Sequence, residues 1–305
     1  MTSIRIGTRG SALALAQTNT IAAKLADAST TVEIVVVTTK GDTSTESLSA
    51  LGGTGVFASA LRDALLAGEC DVVVHSLKDL PTAQPDGLVI AAIPARADAR
   101  DALVARDDLT LDTLPPGSRV GTGSPRRTAQ LRSRRPDLDV VDIRGNVDTR
   151  IGKVTGGELD AVVLAAAGLE RLGRLDAATD LIGIDGWPTA PGQGALAIEV
   201  RAGEESRVKK LDHARTRTVV EAERTLLALL EAGCAAPVAA NAFVDDGLLF
   251  LTASVYSLDG TKRLTASHAL YVADSKSPAA DVAERVATEL LAGGAADLAP
   301  LKGSR

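Results

Sequence analysis

The sequence predicts an α/β protein of three domains: two similar doubly wound halves and a small α+β domain at the C-terminal end. Short β-branched runs alternate with helical patterns, as expected of doubly wound sheets. Gly-Thr followed by a serine-capped helix occurs twice, at residues 7–11 and 121–124. From Thr216 the pattern changes to a long helix and three short strands separated by turn signals. We therefore expect domains at 1–96 with 195–214, at 101–189, and at 215–305.

The first half alternates strands and helices. Ser11 is a good N-cap because its hydroxyl can accept from the free amides of the first helical turn. The glycine-rich segment 40–55 is predicted to be a mobile surface loop. The predicted elements are strands at Ser3–Thr8, Val32–Thr38, 72–74 and Leu88–Ile93, and helices at Ala12–Ala28 and Val56–Ala67.

The second half repeats this alternation, and its predicted elements end at Ala165. The segments 96–101 and 189–195 are predicted to carry the chain between halves as hinges. The predicted strands are Arg119–Thr122, Val140–Ile143, Ala161–Ala165 and a returning strand Ala195–Val200, with helices Ser124–Arg135 and Asn146–Val154. In the last domain we expect a helix Val219–Ala232, stopped by Gly233, and a final helix Ala280–Leu291.

Composition excludes several classes of protein. The 305 residues carry a net charge of −6, which argues against a general nucleic-acid binder because such proteins need a basic surface. No apolar run approaches the length of a membrane span, and no leader pattern precedes the first strand, so we expect a cytoplasmic protein. Cys70 and Cys234 lie far apart, and no metal-ligand spacing is present, so neither a disulfide nor a metal site is expected.

Residues 71–81 are the stretch most suggestive of chemistry. A buried strand ends there in His75, Ser76, Lys78 and Asp79, and ligands of open α/β sheets bind at the carboxyl ends of strands. Lys78 can hold an anion and Asp79 can move a proton. The alternative is a solvated pair of charges at a strand end.

Arginines accompany the predicted helix starts. A helix N-terminus favours anions, and a guanidinium group forms a planar fork suited to carboxylate or phosphate. Any one of them alone is an ordinary surface residue, but together they predict a cleft for a small polyanion. The five are Arg9, Arg126, Arg127, Arg144 and Arg150.

The residues around Cys234 argue against a reactive thiol. It follows a helix and its glycine stop, where the helix dipole does not favour a thiolate, and no histidine is placed as its base. From the residues alone it is a small buried residue, as is Cys70.

These segments together identify the chain as similar to the hydroxymethylbilane synthase family, also called porphobilinogen deaminases, over nearly its whole length. The matching segments occur in the family's order: 7–11 (GTRGS), 39–42 (TKGD), 75–81 (HSLKDLP), 121–127 (GTGSPRR), 144–150 (RGNVDTR), 167–173 (AGLERLG), 192–195 (GQGA) and 231–237 (EAGCAAP). Their number and order make the resemblance specific.

The resemblance implies a function. Such enzymes join four porphobilinogen molecules head to tail, with release of ammonia, into the linear tetrapyrrole hydroxymethylbilane of porphyrin and haem biosynthesis. A dipyrromethane cofactor is held by a thioether to the cysteine that Cys234 matches, and Asp79 matches the catalytic aspartate. The residues that match binders of cofactor and substrate carboxylates are Arg9, Lys78, Arg126, Arg127, Arg144, Arg150 and Arg171, with supporting contacts from Ser11, Gln17, Thr122 and Ser124. The fold implied is two halves of periplasmic-binding-protein type plus the small third domain.

The chain departs from the family at a few positions. Thr54 and Ser59 stand where many relatives have lysines, and Ala232, Gly123 and Pro125 vary two motifs. None of these changes removes a group that performs chemistry. Two rival functions stay open: a non-catalytic anion-binding module of the same fold, and a transferase that uses Cys234 as a transient nucleophile. We expect a monomer, because no extended apolar stripe requires a partner.

Overall fold

The structure is a computed structural model that describes residues 2–38, 55–233 and 236–301. The chain divides into two compact units. Unit 1 comprises residues 1–97 and 194–217, and unit 2 comprises 98–193 and 218–305. Each unit contains a five-stranded mixed sheet, and unit 2 also contains a three-stranded sheet. The finer predicted boundary at residue 215 stays a prediction.

The sheet of unit 1 is built from segments on both sides of the crossing to unit 2. Its strands lie in the order β2-β1-β3-β10-β4, with β1 parallel to β2 and β3, and β10 antiparallel to β3 and β4. Apolar side chains of β1, β3, β10 and the first helix form one buried core. The elements are β1 Thr2–Thr8, α1 Ala12–Leu25, β2 Thr30–Val36, α2 Gly55–Leu66, β3 Val72–Ser76, β4 Leu88–Ala92 and β10 Leu196–Arg201.

The five-stranded sheet of unit 2 has the same arrangement. Its order is β7-β6-β8-β5-β9, in which β6 is parallel to β7 and β8, and β5 is antiparallel to β8 and β9. In both sheets the fourth strand is therefore the antiparallel one. The elements are β5 Asp101–Ala105, β6 Arg119–Gly121, α3 Pro125–Arg134, β7 Asp139–Val141, α4 Val147–Thr155, β8 Ala161–Ala165, α5 Ala166–Arg171 and β9 Asp180–Ile182.

The repeated Gly-Thr at the ends of β1 and β6 has a packing reason. A Cβ on Gly7 would lie 2.8 Å from Sγ of Cys70, and a Cβ on Gly121 would lie 2.6 Å from Cδ1 of Leu159. Both distances are too short for a larger side chain unless its neighbours move, so glycine is favoured where the next layer packs against the end of each strand. The threonines that follow are buried in both units.

The C-terminal part of unit 2 is a three-stranded antiparallel sheet covered by a helix. The strands follow each other in space as in sequence, and buried Val282, Val286 and Leu290 lie on the helix. The bounds are α6 Ala214–Leu229, β11 Val238–Asp245, β12 Leu248–Tyr256, β13 Arg263–Tyr271, α7 Pro278–Ala292 and the short α8 Ala295–Leu298.

Most predicted elements are confirmed, with ends moved by a few residues. The strand β5, at 101–105, was not predicted, because the preceding RADAR segment shows no apolar period. The helix expected at Val219–Ala232 runs from Ala214 to Leu229. The expectation that Gly233 stops this helix is wrong, since the left-handed residue after it is Glu231, with φ 45°. Segment 40–55 lies outside the described residues except for Gly55, which begins α2.

Candidate active site

Asp79 lies in a single helical turn at the carboxyl end of β3. Residues Val72 to Val74 are buried, and the turn spans Leu77–Asp79. Leu77 is fully buried, and its amide donates to the carbonyl oxygen of Ala195 at 3.0 Å, which fixes the turn to the segment that enters β10. Lys78 and Asp79 are half-buried. The strand end that the sequence predicted is therefore a rigid support for both charges.

A cavity of about 50 Å³ opens beside Asp79 in unit 1. Of the predicted site residues it brings together Arg9, Gln17 and Asp79. Nε2 of Gln17 donates to Oγ of Ser76 at 2.8 Å, so the amide is held in one orientation. Its lining comprises Arg9, Ala14, Gln17, Ala58, Leu61, Val74, His75, Ser76, Asp79 and Leu80.

Ser11 and Lys78 are not among the residues that line this cavity. Ser11 is the predicted N-cap of α1, and its Oγ accepts from the amide of Ala14 at 3.3 Å. Lys78 shares the turn with Asp79 but is not among the residues lining the cavity. Ser11 therefore orders the helix start that follows Arg9.

A buried carboxylate lies behind the cavity. Oε2 of Glu199, on β10, is 3.2 Å from Nε2 of His75, and Arg62 of α2 binds both carboxylate oxygens at 2.9–3.1 Å. Gln84 adds a contact of 3.3 Å. Burial by itself raises the pKa of Glu199, but hydrogen bonds from His75 and Arg62, and their charges, outweigh it and lower the pKa to about 2. Glu199 is consequently ionised at neutral pH.

In unit 2, Thr122 and Ser124 shape the start of α3. Oγ of Ser124 accepts from the amide of Arg127 at 3.5 Å, and Oγ1 of Thr122 accepts from the amide of Ser124 at 3.3 Å. Pro125 occupies the first helical position, where a missing amide proton has no cost. These contacts confirm the predicted cap and set the direction of the next two arginines.

Arg126 and Arg127 both bind the carboxylate of Asp101. Nη2 of Arg126 is 2.9 Å from Oδ2, and Nη2 of Arg127 is 2.6 Å from Oδ1. Nε1 of Trp187 donates to Oδ2 at 2.8 Å, and Nε2 of Gln193 donates to Oδ1 at 2.8 Å. Asp101 is fully buried, and the two arginines are 4% and 6% exposed. The predicted arginine pair is therefore an internal ion cluster with its own carboxylate.

The electrostatics of this cluster leave positive charge in excess. Burial alone raises the pKa of Asp101, but Arg126 and Arg127 hold that pKa well below its usual range. Burial lowers the pKa of Arg126, against the opposing effect of Asp101. Two guanidinium groups face one carboxylate, and buried Nε of Arg126 has no hydrogen-bond partner within the described ranges. This arrangement suits a further anion.

The other predicted arginines of unit 2 lie nearer its surface. Arg144 is exposed, while Arg150 and Arg171 are half-buried. Partial burial lowers the pKa of Arg150, and the charges of Arg127 and Arg144 lower it further. Burial likewise lowers the pKa of Arg171. Arg127, Arg144 and Arg150 thus form one positive region, whereas Arg171 stands at the end of α5.

The two cysteines differ in what the structure describes. Cys234 lies outside the described residues, as do the segment 39–42 and Thr54. Cys70 is a buried free thiol whose pKa is raised by burial. Ser59 lies in α2. Sequence reasoning missed Asp101, Trp187, Gln193 and Glu199, because each acts on a residue far away in the chain.

Within residues 2–38, 55–233 and 236–301, no group of three or more His, Cys, Asp or Glu side chains could hold a metal ion. Over the same ranges no helix is long and apolar enough to cross a membrane.

Comparison with known proteins identifies the family. The family model described as "Porphobilinogen deaminase, dipyromethane cofactor binding domain" matches residues 4–210, and "Porphobilinogen deaminase, C-terminal domain" matches residues 217–292. The porphobilinogen deaminase of Leifsonia xyli subsp. xyli is 63% identical, with 99% of this chain and 96% of that protein covered. The enzyme of Thermobifida fusca is 54% identical, with coverages of 90% and 87%.

One solved structure shows a distant similarity to the chain. A periplasmic substrate-binding protein of an ABC transporter from Coxiella burnetii is 14% identical, with a TM-score of 0.43, over 68% of this chain and 89% of that chain. No conclusion about this chain is drawn from that similarity. The family matches, in contrast, span both units and include the segments that carry Asp79, Arg126 and Arg127. The chain belongs to the porphobilinogen deaminase family.

Proposed function

We propose that the chain joins four porphobilinogen molecules head to tail into hydroxymethylbilane, on a dipyrromethane cofactor attached to Cys234. The observation that carries this proposal is the position of Asp79, half-buried at a strand end beside a cavity that Arg9 and Gln17 also line. A carboxylate there is suited to positive charge that develops on a pyrrole, while a guanidinium group nearby holds the acid groups of the same ring.

We assign Asp79 two tasks, which are to stabilise positive charge on the pyrrole and to transfer protons. Loss of ammonia from the aminomethyl group leaves positive charge on the substrate pyrrole. A fixed carboxylate favours that state over the neutral ring, and this difference between states is what accelerates a reaction. Because Leu77 fixes the turn through its buried side chain and its bond to Ala195, the carboxylate is held in place before substrate arrives.

The arginines of unit 2 fit the cofactor. Dipyrromethane brings acetate and propionate groups, and Arg126 and Arg127 present two guanidinium groups against the single carboxylate of Asp101. The unpartnered Nε of Arg126 is a donor ready for an added carboxylate. We assign Arg126, Arg127 and Arg150 to binding of cofactor carboxylates. The remaining proposed binders of cofactor or substrate are Arg9, Lys78, Arg144 and Arg171, with Ser11, Gln17, Thr122 and Ser124 as supporting groups.

The cofactor supplies a covalently held pyrrole primer when bound. Its proposed attachment point, Cys234, follows α6 in a segment that the C-terminal family model spans. The same proposal includes three domains with a boundary near residue 215, a monomeric state and a cytoplasmic location. Light scattering after size-exclusion chromatography tests the monomer.

Intact mass under denaturing conditions tests the assignment of Cys234. We expect the purified protein to exceed its sequence mass by two linked pyrrole units. Cys234→Ala should lose both the added mass and the activity. Cys70→Ala is the matched control and should keep both, since Cys70 is a buried thiol packed against Gly7. An active protein at its bare sequence mass would overturn the assignment.

A further inference from the structure

His75 and Glu199 form a carboxylate–imidazole pair beside Asp79. Nε2 of His75 lies 3.2 Å from Oε2 of Glu199, and the histidine is only 7% exposed. The same ring lines the cavity that Asp79 lines. An imidazole held at one nitrogen by a carboxylate keeps a defined orientation and can exchange a proton at its other nitrogen.

The carboxylate of this pair is already neutralised. Arg62 binds both oxygens of Glu199, and its side chain is 12% exposed, so the guanidinium group is a nearly buried counter-ion. His75 is therefore not required as the cation that balances Glu199. The ring can take up a proton and release it again, while Glu199 stays charged.

The cavity provides a path between His75 and Asp79. Its volume of about 50 Å³ exceeds the roughly 10–15 Å³ that one water molecule requires. The polar residues Arg9, Gln17 and Ser76 also line it, and a buried water needs polar partners of this kind. Water in this cavity can accordingly carry protons over a gap that the side chains do not bridge directly.

We propose that His75, held in position by Glu199, exchanges protons with Asp79 through water in this cavity and so restores Asp79 after each condensation. This inference rests on the proposed role of Asp79. In each condensation the C–N bond of the protonated aminomethyl group (–CH2–NH3+) breaks, and neutral ammonia leaves with the electron pair. The new C–C bond forms at a pyrrole α-carbon, which then loses its proton. That proton passes to Asp79, through water to His75, and finally to the released ammonia as ammonium.

The charged surroundings of His75 come from every element packed around it. Three of these groups are positive and two are negative, so no excess of negative charge holds a proton on the ring. They are Glu199 on β10, Arg62 on α2, Arg9 after β1, and Lys78 and Asp79 in the turn after β3.

Single-turnover kinetics of the protein with its cofactor provide the first test. His75→Gln should slow each condensation by roughly 10²-fold, the scale of general acid–base catalysis, and leave KM nearly unchanged. The limb of the pH–rate profile between about pH 5 and 8, where histidine ordinarily changes charge, should disappear. His268→Gln is the matched control, because His268 also pairs with a glutamate, Glu289, at 2.7 Å, but does not line the Asp79 cavity. This control should retain the rate and the profile.

Nuclear magnetic resonance of ¹⁵N-labelled histidines provides the second test and needs no turnover. The chain has three histidines, so each signal is assignable by substitution. If water links His75 to Asp79, Asp79→Asn should shift the ¹⁵N signals of the His75 ring, because the carboxylate at the other end of the water path is lost. The signals of His213 and His268 should not move. Unchanged His75 signals would overturn the relay.

The two tests separate this inference from the proposed function. If Asp79→Asn keeps the full rate, the role of Asp79 itself fails. If Asp79→Asn is inactive but His75→Gln keeps the wild-type rate and pH profile, the relay alone fails. A His75→Gln protein that still carries its cofactor mass, but shows raised KM with unchanged single-turnover rate, would assign His75 a binding role and reject proton transfer.

Discussion

Replacing Glu199 by glutamine tests how much of the stability of unit 1 depends on one buried carboxylate. Glutamine has nearly the size of a protonated glutamate, so the change removes the charge and leaves the packing of β10 in place. Arg62 then loses its counter-ion, and His75 loses a charged hydrogen-bond partner. Removal of one partner from a buried ion pair is strongly destabilising.

The magnitude follows from proton linkage. The pKa of Glu199 is about 2 in the folded protein and 4.5 ordinarily, and at 1.36 kcal/mol per pH unit the difference corresponds to about 3 kcal/mol. Because the folded-state pKa is the lower one, this stability is fully present above about pH 4.5. It is lost as the pH falls towards about 2, where the carboxyl group is protonated in both states.

Urea unfolding of the wild type and of Glu199→Gln, at intervals from pH 7 to pH 3, measures this quantity. We expect a gap of about 3 kcal/mol in the free energy of unfolding at neutral pH, narrowing as the medium becomes acidic. Glu289→Gln is the matched control, since the exposed Glu289–His268 pair should contribute less than about 1 kcal/mol. A gap that is absent at pH 7, or constant down to pH 3, would refute the reasoning.

Four further substitutions address the candidate site. Asp79→Asn should fold, keep its cofactor and lose most of its maximal rate with little change in KM; equal rates in single-turnover assays would exclude Asp79 from the chemistry. Asp101→Asn should lower the free energy of unfolding by about 3–5 kcal/mol, measured by denaturant titration, because two buried guanidinium groups lose their counter-ion. Arg127→Leu should yield mainly protein without cofactor by intact mass, whereas Arg171→Leu should retain cofactor and slow the later additions. Cofactor loading at the wild-type level in Arg127→Leu would contradict its assignment.

Local patterns predicted the parts of the site that depend on near neighbours. The caps at Ser11 and Ser124 were predictable because each side chain accepts from an amide three residues ahead. The end of β3 was predictable because an apolar run stops abruptly before charged residues. Both unit sheets were predicted as similar halves, since the repeated Gly-Thr is a packing requirement that leaves a mark in the sequence.

Long-range partners were not predictable in this way. Arg127 and its partner Asp101 are 26 residues apart, and His75 and Glu199 are 124 apart. No period or turn signal connects such positions, because the sheet order and not the local sequence brings them together. The same cause explains β5, whose five residues follow a segment without any apolar alternation. The sequence therefore placed Asp101 in the segment that carries the chain between the two halves, although Asp101 is the centre of a buried ion cluster.

Strand β10, the antiparallel fourth strand of the sheet in unit 1, has a consequence for the order of events during synthesis. Strand β4 pairs with β10 in that sheet, yet β10 is translated about 100 residues later, after the whole of β5 to β9. Until the ribosome has released β10, β4 has no neighbour there and His75 and Arg62 have no Glu199. The five-stranded sheet of unit 2 is complete by Ile182 and can form earlier. A nascent chain halted before residue 194 should therefore protect unit 2 strands from proteolysis while β4 is still cut.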